Sequence, residues 1–142
     1  MKQNIRGMKC SLDYYRLADF LKYLSEKEWA FYVPWCLLDG IITVRDYMVL
    51  KKDLAALDKH RIWELELQCL PQETVQVDIV DYQDFFSSSC ACYLLYFDCG
   101  YLEIYVKQPN EFKQFWNHLA ALEAEDLLII TDDNDTRTRF SV

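Results

Sequence analysis

Residues 90–107 constrain this chain more than any other stretch. Cys90 to Phe97 reads Cys-Ala-Cys-Tyr-Leu-Leu-Tyr-Phe, almost continuously apolar and aromatic, as a strand covered on both faces is. Asp98-Cys99-Gly100 is a turn signal, with Gly100 the residue expected to take a positive φ. Beyond it Leu102, Ile104 and Val106 alternate with Tyr101, Glu103, Tyr105 and Lys107. The pattern predicts a central β-hairpin with one dry side and one partly wet side.

The other segments read as material packed around that hairpin. Ile5, Met8, Cys10 and Leu12 mark a first strand over 5–12, and Ser11 or Asp13 can cap a helix over 14–24. Tyr14, Leu17, Phe20, Leu21 and Leu24 recur along that helix at the spacing of one buried stripe. Residues 28–33 predict a strand that stops at Pro34 or lies at a sheet edge, because proline cannot donate to a ladder. Leu38-Asp39-Gly40 is a turn. Residues 41–60 are the least legible, fitting a short strand over 41–44 and a short helix over 53–60, or a longer helix from Arg45 onward.

From Arg61 to Cys69 the alternation is clean, with Trp63, Leu65, Leu67 and Cys69 inward and Ile62, Glu64, Glu66 and Gln68 outward, and Pro71 closes the strand. A polar connection leads to a short helix capped by Asp81. After the hairpin, Asn110 is the expected cap of a helix whose stripe is Phe112, Phe115, Trp116, Leu119 and Leu122. Leu127 to Thr131 predicts a buried strand, Asp132 to Asp135 a turn, and Thr136 to Val142 a final alternating strand. The fold class expected is α+β, a mainly antiparallel sheet with helices packed on one face, in a single globular domain spanning residues 1–142.

Composition narrows the function classes. The chain carries a net charge of −8, unevenly spread: residues 1–60 hold ten Lys/Arg against eight Asp/Glu, and residues 61–142 five against fifteen. A nucleic-acid binder presents a basic face, which the second half does not offer. No apolar run reaches the roughly 20 residues of a membrane span, and no secretory h-region opens the sequence, so neither nucleic acid nor membrane is an expected partner. A cytoplasmic location is expected. Acidity favours solubility and a basic protein partner. The pattern does not set the oligomeric state.

Motifs for chemistry are lacking. Three glycines (Gly7, Gly40, Gly100) make no phosphate loop and no dinucleotide fingerprint. His60 and His118 belong to no metal-spaced pair. Ser87 to Ser89 have no nucleophile-elbow context. Asp132, Asp133 and Asp135 lack the loop glycine and distal glutamate of a calcium loop. The six cysteines contain no Cys-x-x-Cys and sit among apolar residues, so all six are expected as reduced thiols slow to react. The expectation is therefore no cofactor, no metal and no catalytic residue.

One feature points to recognition. If the alternating strands are neighbours, Glu64, Glu66, Tyr101, Glu103, Tyr105, Arg137 and Arg139 share the wet face of the sheet. Tyr and Arg concentrate binding energy at interfaces, so this is the candidate binding patch. The bland alternative is a ladder of cross-strand charge pairs shielding the sheet.

Ser88-Ser-Cys90, Asp98, Tyr101-Leu-Glu-Ile-Tyr105 and Thr131-Asp-Asp-Asn-Asp-Thr-Arg-Thr-Arg139 resemble the small bacterial domain-of-unknown-function family DUF2691, over the last third to half of the chain. The resemblance implies a bacterial, cytoplasmic, single-domain protein and supplies no activity. The expected role is a non-enzymatic protein-binding or regulatory module, immunity- or antitoxin-like in size and acidity. The competing expectation is a small-molecule binder or enzyme with a cleft lined by Asp, Glu, Tyr and Arg.

Overall fold

The computed structural model describes residues 4–72 and 78–142, so most of the polar connection before Asp81 lies outside the described residues. Seven strands form one sheet: β1 (Ile5–Ser11), β2 (Trp29–Leu38), β3 (Ile42–Val49), β4 (Ile62–Pro71), β5 (Cys92–Phe97), β6 (Tyr101–Val106) and β7 (Glu125–Thr131). Their spatial order is β3-β2-β4-β5-β6-β1-β7, and every neighbouring pair is antiparallel. The helices are α1 (Tyr14–Ser25), α2 (Lys51–Ala55), α3 (Tyr82–Ser87) and α4 (Pro109–Ala121), with one 3₁₀ turn at Leu57–Lys59. The chain is α+β with an antiparallel sheet, as the alternation predicts.

One face of the sheet is dry. Met8, Phe31, Val33, Leu65, Leu67, Leu94, Leu102, Ile104 and Val106 meet Leu17, Phe20, Leu21 and Leu24 of α1, Leu54 of α2, and Phe115 and Leu119 of α4. Helical spacing puts these residues on one stripe, and burying each contributes about 1.5–3 kcal/mol. The Asp13 carboxylate caps α1 by accepting from the Arg16 N–H at 2.9 Å. α4 starts differently from expectation: Gln108 is its N-cap and Pro109 occupies the first turn. Proline there loses no hydrogen bond and is preset to helical φ, so Asn110 is already inside the helix.

The opposite face has its own smaller core. Tyr32, Leu70, Cys90, Tyr93, Leu95, Tyr105 and Ile130 pack with Ile79, Phe85 of α3 and Phe140. The short α3 thus lies across the sheet from the other three helices. Residues 136–142 form no strand. They run over this second face as a strap, with the Phe140 N–H donating to the Val80 carbonyl at 2.7 Å. The alternation of Arg137, Thr138, Arg139 and Phe140 therefore reflects one buried anchor, a half-buried Arg137 and two exposed residues, and no ladder.

Four more expectations change. β2 continues through Pro34 for ten residues and is internal, between β3 and β4. Its register against β4 shifts between Tyr32 and Trp35, so Pro34 falls in a bulge where no amide donor is needed. A second shift, between Leu37 and Leu38, turns Ile62 inward and leaves Trp63 39% exposed, reversing the first step of the β4 alternation. In the β5–β6 turn the positive φ values belong to Asp98 and Cys99, not to Gly100. β7 is an edge strand whose Leu128 is 54% exposed, so only its end at Ile130 and Thr131 is buried.

Candidate functional site

Strand alternation sets out the second face in rows. Tyr32, Gln68, Tyr93, Tyr105, Gly7 and Ile130 are successive cross-strand partners, and Glu66, Leu95, Glu103, Lys9 and Leu128 form the next row. Glu66, Glu103 and Tyr105 of the expected patch therefore do share a face, and Arg137 of the strap joins them. The Arg137 Nε donates to Glu103 Oε2 at 2.6 Å, and its guanidinium lies 5.1 Å from the Phe97 ring centroid. The Tyr105 hydroxyl donates to the Asp135 carboxylate at 3.1 Å, and Arg6 also pairs with Asp135.

These groups are engaged with each other beneath the strap. Tyr105 is fully buried, and Phe140 lies 4.4 Å from its ring centroid and 4.8 Å from that of Tyr93. Glu64 sits further along, accepting from the Trp35 indole N–H at 2.9 Å. Tyr101 is exposed and stacked on Phe97. Arg139 is exposed, with its carbonyl accepting from Arg137. The seven residues thus divide into an internal polar cluster, Glu64 bonded apart from it to Trp35, and two exposed side chains, and the strap covers part of what alternation alone presents as open sheet.

Beside the strap the face does open, into a cleft of about 340 Å³ lined by Tyr32, Pro34, Asp46, Glu66, Gln68, Asp78, Ile79 and Tyr93. The irregularity at Pro34 helps to form it. Opposite Pro34, Asp46 takes a φ of +51° in β3, a conformation aspartate tolerates better than most side chains. The Tyr32 hydroxyl then donates to Asp46 Oδ1 at 2.7 Å. Burial pushes the Tyr32 phenol up to about 12, with the Asp46 hydrogen bond and the charges of Asp46 and Asp78 adding to it. Burial also raises the Glu66 carboxyl, offset by the Val142 N–H and the Arg137 charge. Tyr93 is raised by burial and by Glu66.

Three carboxylates and two phenols are thus gathered on one concavity. Alternation finds Glu66 but misses Asp46, Asp78, Tyr32 and Tyr93. Tyr32 and Tyr93 read as core in apolar strands, and Asp46 lies in the stretch where no period is visible. Pro34 inside an apolar run was the available signal of a bulge.

Elsewhere the chemistry is quiet. Among the described residues no group of three or more His, Cys, Asp or Glu is placed to hold a metal ion. His60 faces Asp39 at 3.0 Å, and the His118 ring stacks on Tyr23. Cys10, Cys36, Cys69, Cys90 and Cys92 are buried free thiols, and burial pushes Cys10, Cys36 and Cys90 up to about 12, far from thiolate at neutral pH. Cys99, in the hairpin turn, is partly exposed and departs from the expectation that all six are shielded. Cys90 and Cys92 belong to opposite cores, so the pair cannot chelate from one face of a strand. No helix among the described residues is long and apolar enough to cross a membrane.

Comparison with known proteins adds a family and no activity. The uncharacterised protein YncE of Bacillus subtilis (strain 168) is 33% identical over 78 residues, covering 55% of this chain and 51% of that protein. The chain therefore spans about half the length of this curated relative. No solved structure matches. A family match runs over residues 38–141, from the end of β2 through the strap, and takes in Asp46, Glu66, Asp78 and Tyr93 of the cleft. It also crosses residues 41–60, which the resemblance seen in the sequence did not reach. By that match the chain belongs to the family described as Protein of unknown function (DUF2691).

Proposed function

We propose that this protein is a non-catalytic binding module whose cleft takes an organic cation, an ammonium or guanidinium group. The observation that carries the reading is the convergence of Asp46, Glu66 and Asp78 with the hydroxyl-bearing rings of Tyr32 and Tyr93 on one 340 Å³ concavity. Carboxylates accept charge-assisted hydrogen bonds from such a group, and low local polarity strengthens them. A cationic guest also relieves the cost of keeping Glu66 ionised under partial burial. The cation comes either from a free amine or from a lysine or arginine side chain of a protein partner, which suits the chain's excess of acid. Buried, unpaired thiols support a cytoplasmic place of work.

Calorimetric titration with methylguanidinium, butylammonium and an arginine-rich peptide distinguishes the two sources. Binding of the small cations is expected in the millimolar range or tighter, strengthening as pH rises through the elevated Glu66 value. Glu66→Gln and Asp46→Asn are each expected to weaken it about 10-fold. Tighter binding of the peptide alone assigns the cation to a protein partner. Absence of any binding by wild type, or equal binding by both variants, overturns the reading.

A further inference from the structure

The second surface that invites a partner is the outer edge of β7, separate from the cleft. β7 pairs with β1 on one side and ends the sheet on the other. Leu128 and Ile129 point to opposite faces of the strand, yet are 54% and 39% exposed. Residues 127–131 read Leu-Leu-Ile-Ile-Thr, uncharged and rich in strand formers, with none of the lysine or proline that blunts natural sheet edges. β3, the other edge, is interrupted in mid-strand by Arg45 and by Asp46 with its positive φ.

Part of the backbone on this edge is open as well. The Asn134 side chain donates to the Ile129 carbonyl at 3.0 Å and accepts from the Thr131 N–H at 2.8 Å. Those groups therefore point away from β1. Alternation along an antiparallel strand turns the Leu127 amide groups and the Ile129 N–H to the same open side. Asn134 covers one end of the edge and so fixes where an added strand can begin. On the sheet face behind the edge lies a groove of about 280 Å³ that includes Leu128, Tyr101, Phe97 and Leu102. A side chain from an added strand, next to Leu128, can enter it.

Charge selects the occupant. The apolar centre is flanked by Glu125 and Asp126 at one end and by Asp132 and Asp133 at the other. A second copy of this chain, paired antiparallel about Ile129, sets Asp126 opposite the copy's Asp132 and Glu125 opposite its Asp133, and pairing about Leu128 leaves Glu125 one residue from the copy's Asp132. A parallel copy sets each acid beside itself. Like charges directly opposite destabilise strand pairs. An extended segment of another protein, with basic residues at both ends and apolar residues between, meets each of these features. We propose that the β7 edge binds such a segment by strand addition, main-chain bonds giving affinity and the acidic flanks giving selectivity.

The test uses a capped, labelled peptide with paired lysines at each end of a Val-Thr-Phe-Thr-Val core, and a control with glutamates in place of the lysines. Fluorescence anisotropy is expected to give saturable binding of the first and at least ~10-fold weaker binding of the second. Leu128→Lys, which leaves the buried residues untouched, is expected to remove binding with little change in Tm. The double variant Glu125→Lys/Asp132→Lys is expected to reverse the preference between the two peptides. Equal affinity for both peptides, retained binding in Leu128→Lys, or no saturation overturns the proposal. So does a concentration-dependent dimer, seen by sedimentation, that Leu128→Lys abolishes, since it makes a second copy the occupant. Neither peptide signal depends on Glu66, so Glu66→Gln separates this edge from the cleft.

Discussion

The same strands hold two faces together in different ways. On one face mainly apolar side chains meet three helices. On the other, tyrosines and acids are covered by a strap that has no secondary structure, one aromatic anchor and a set of charge-assisted hydrogen bonds. Apolar packing is insensitive to which neighbour supplies the contact, whereas each polar group in the strap face depends on a named partner. The first face is therefore expected to carry most of the stability. The cleft lies on the second.

That contrast is tested most severely by Phe115→Ala. The ring is fully buried against Phe20 and Trp29, and its loss is expected to cost about 3–5 kcal/mol by urea denaturation. Phe140→Ala comes next. It is expected to cost about 3 kcal/mol and to release the strap, read as rapid amide exchange over residues 136–142 while the helix-face amides stay protected. If both variants lose protection everywhere alike, the faces are one cooperative unit and the distinction fails. Arg137→Ala removes the partner of Glu103 beneath the strap and is expected to cost about 1–3 kcal/mol, with less lost in Arg137→Lys. The smallest effect belongs to Glu66→Gln. Because the folded-state carboxyl is raised, its contribution to stability is complete below the ordinary glutamate value and is lost as pH rises through the elevated one. The variant is therefore expected to be slightly more stable than wild type at neutral pH and to show a flatter dependence between those two values. An unchanged pH profile means that Glu66 is not held in the partly desolvated setting the cleft requires.

The helix face was legible because its information is periodic. Leu17, Phe20, Leu21 and Leu24 repeat at helical spacing, and Leu102, Ile104 and Val106 at strand spacing, so each names its own inward side. The hairpin was read the same way, while cap chemistry offered Ser11 or Asp13 for α1 and Asp81 for α3, and Asp13 and Asp81 hold those places. What escaped was aperiodic. A bulge reverses the faces of Ile62 and Trp63 without changing composition. The strap has one buried residue in seven, and alternation around Phe140 imitates a strand. β7 looks buried because Leu, Leu, Ile and Ile are consecutive, and nothing local says that no strand follows it in the sheet. Of the candidate patch, Glu66, Glu103, Tyr105 and Arg137 lie together on one face. Its covering was not foreseen, because coverage by a distant segment leaves no local period.

The position of β1 carries a consequence for how the molecule is made. Its partners are β6, where Ser11 meets Tyr101, and β7, where Ile5 meets Thr131. A nascent chain must therefore emerge from the ribosome almost to Thr131 before β1 has both neighbours, and until then the β7 side of β1 has no partner strand. The outer edge of the sheet is in effect a certificate of completion. Whatever grips it recognises finished molecules and, by mass action, draws incompletely folded ones toward the finished state.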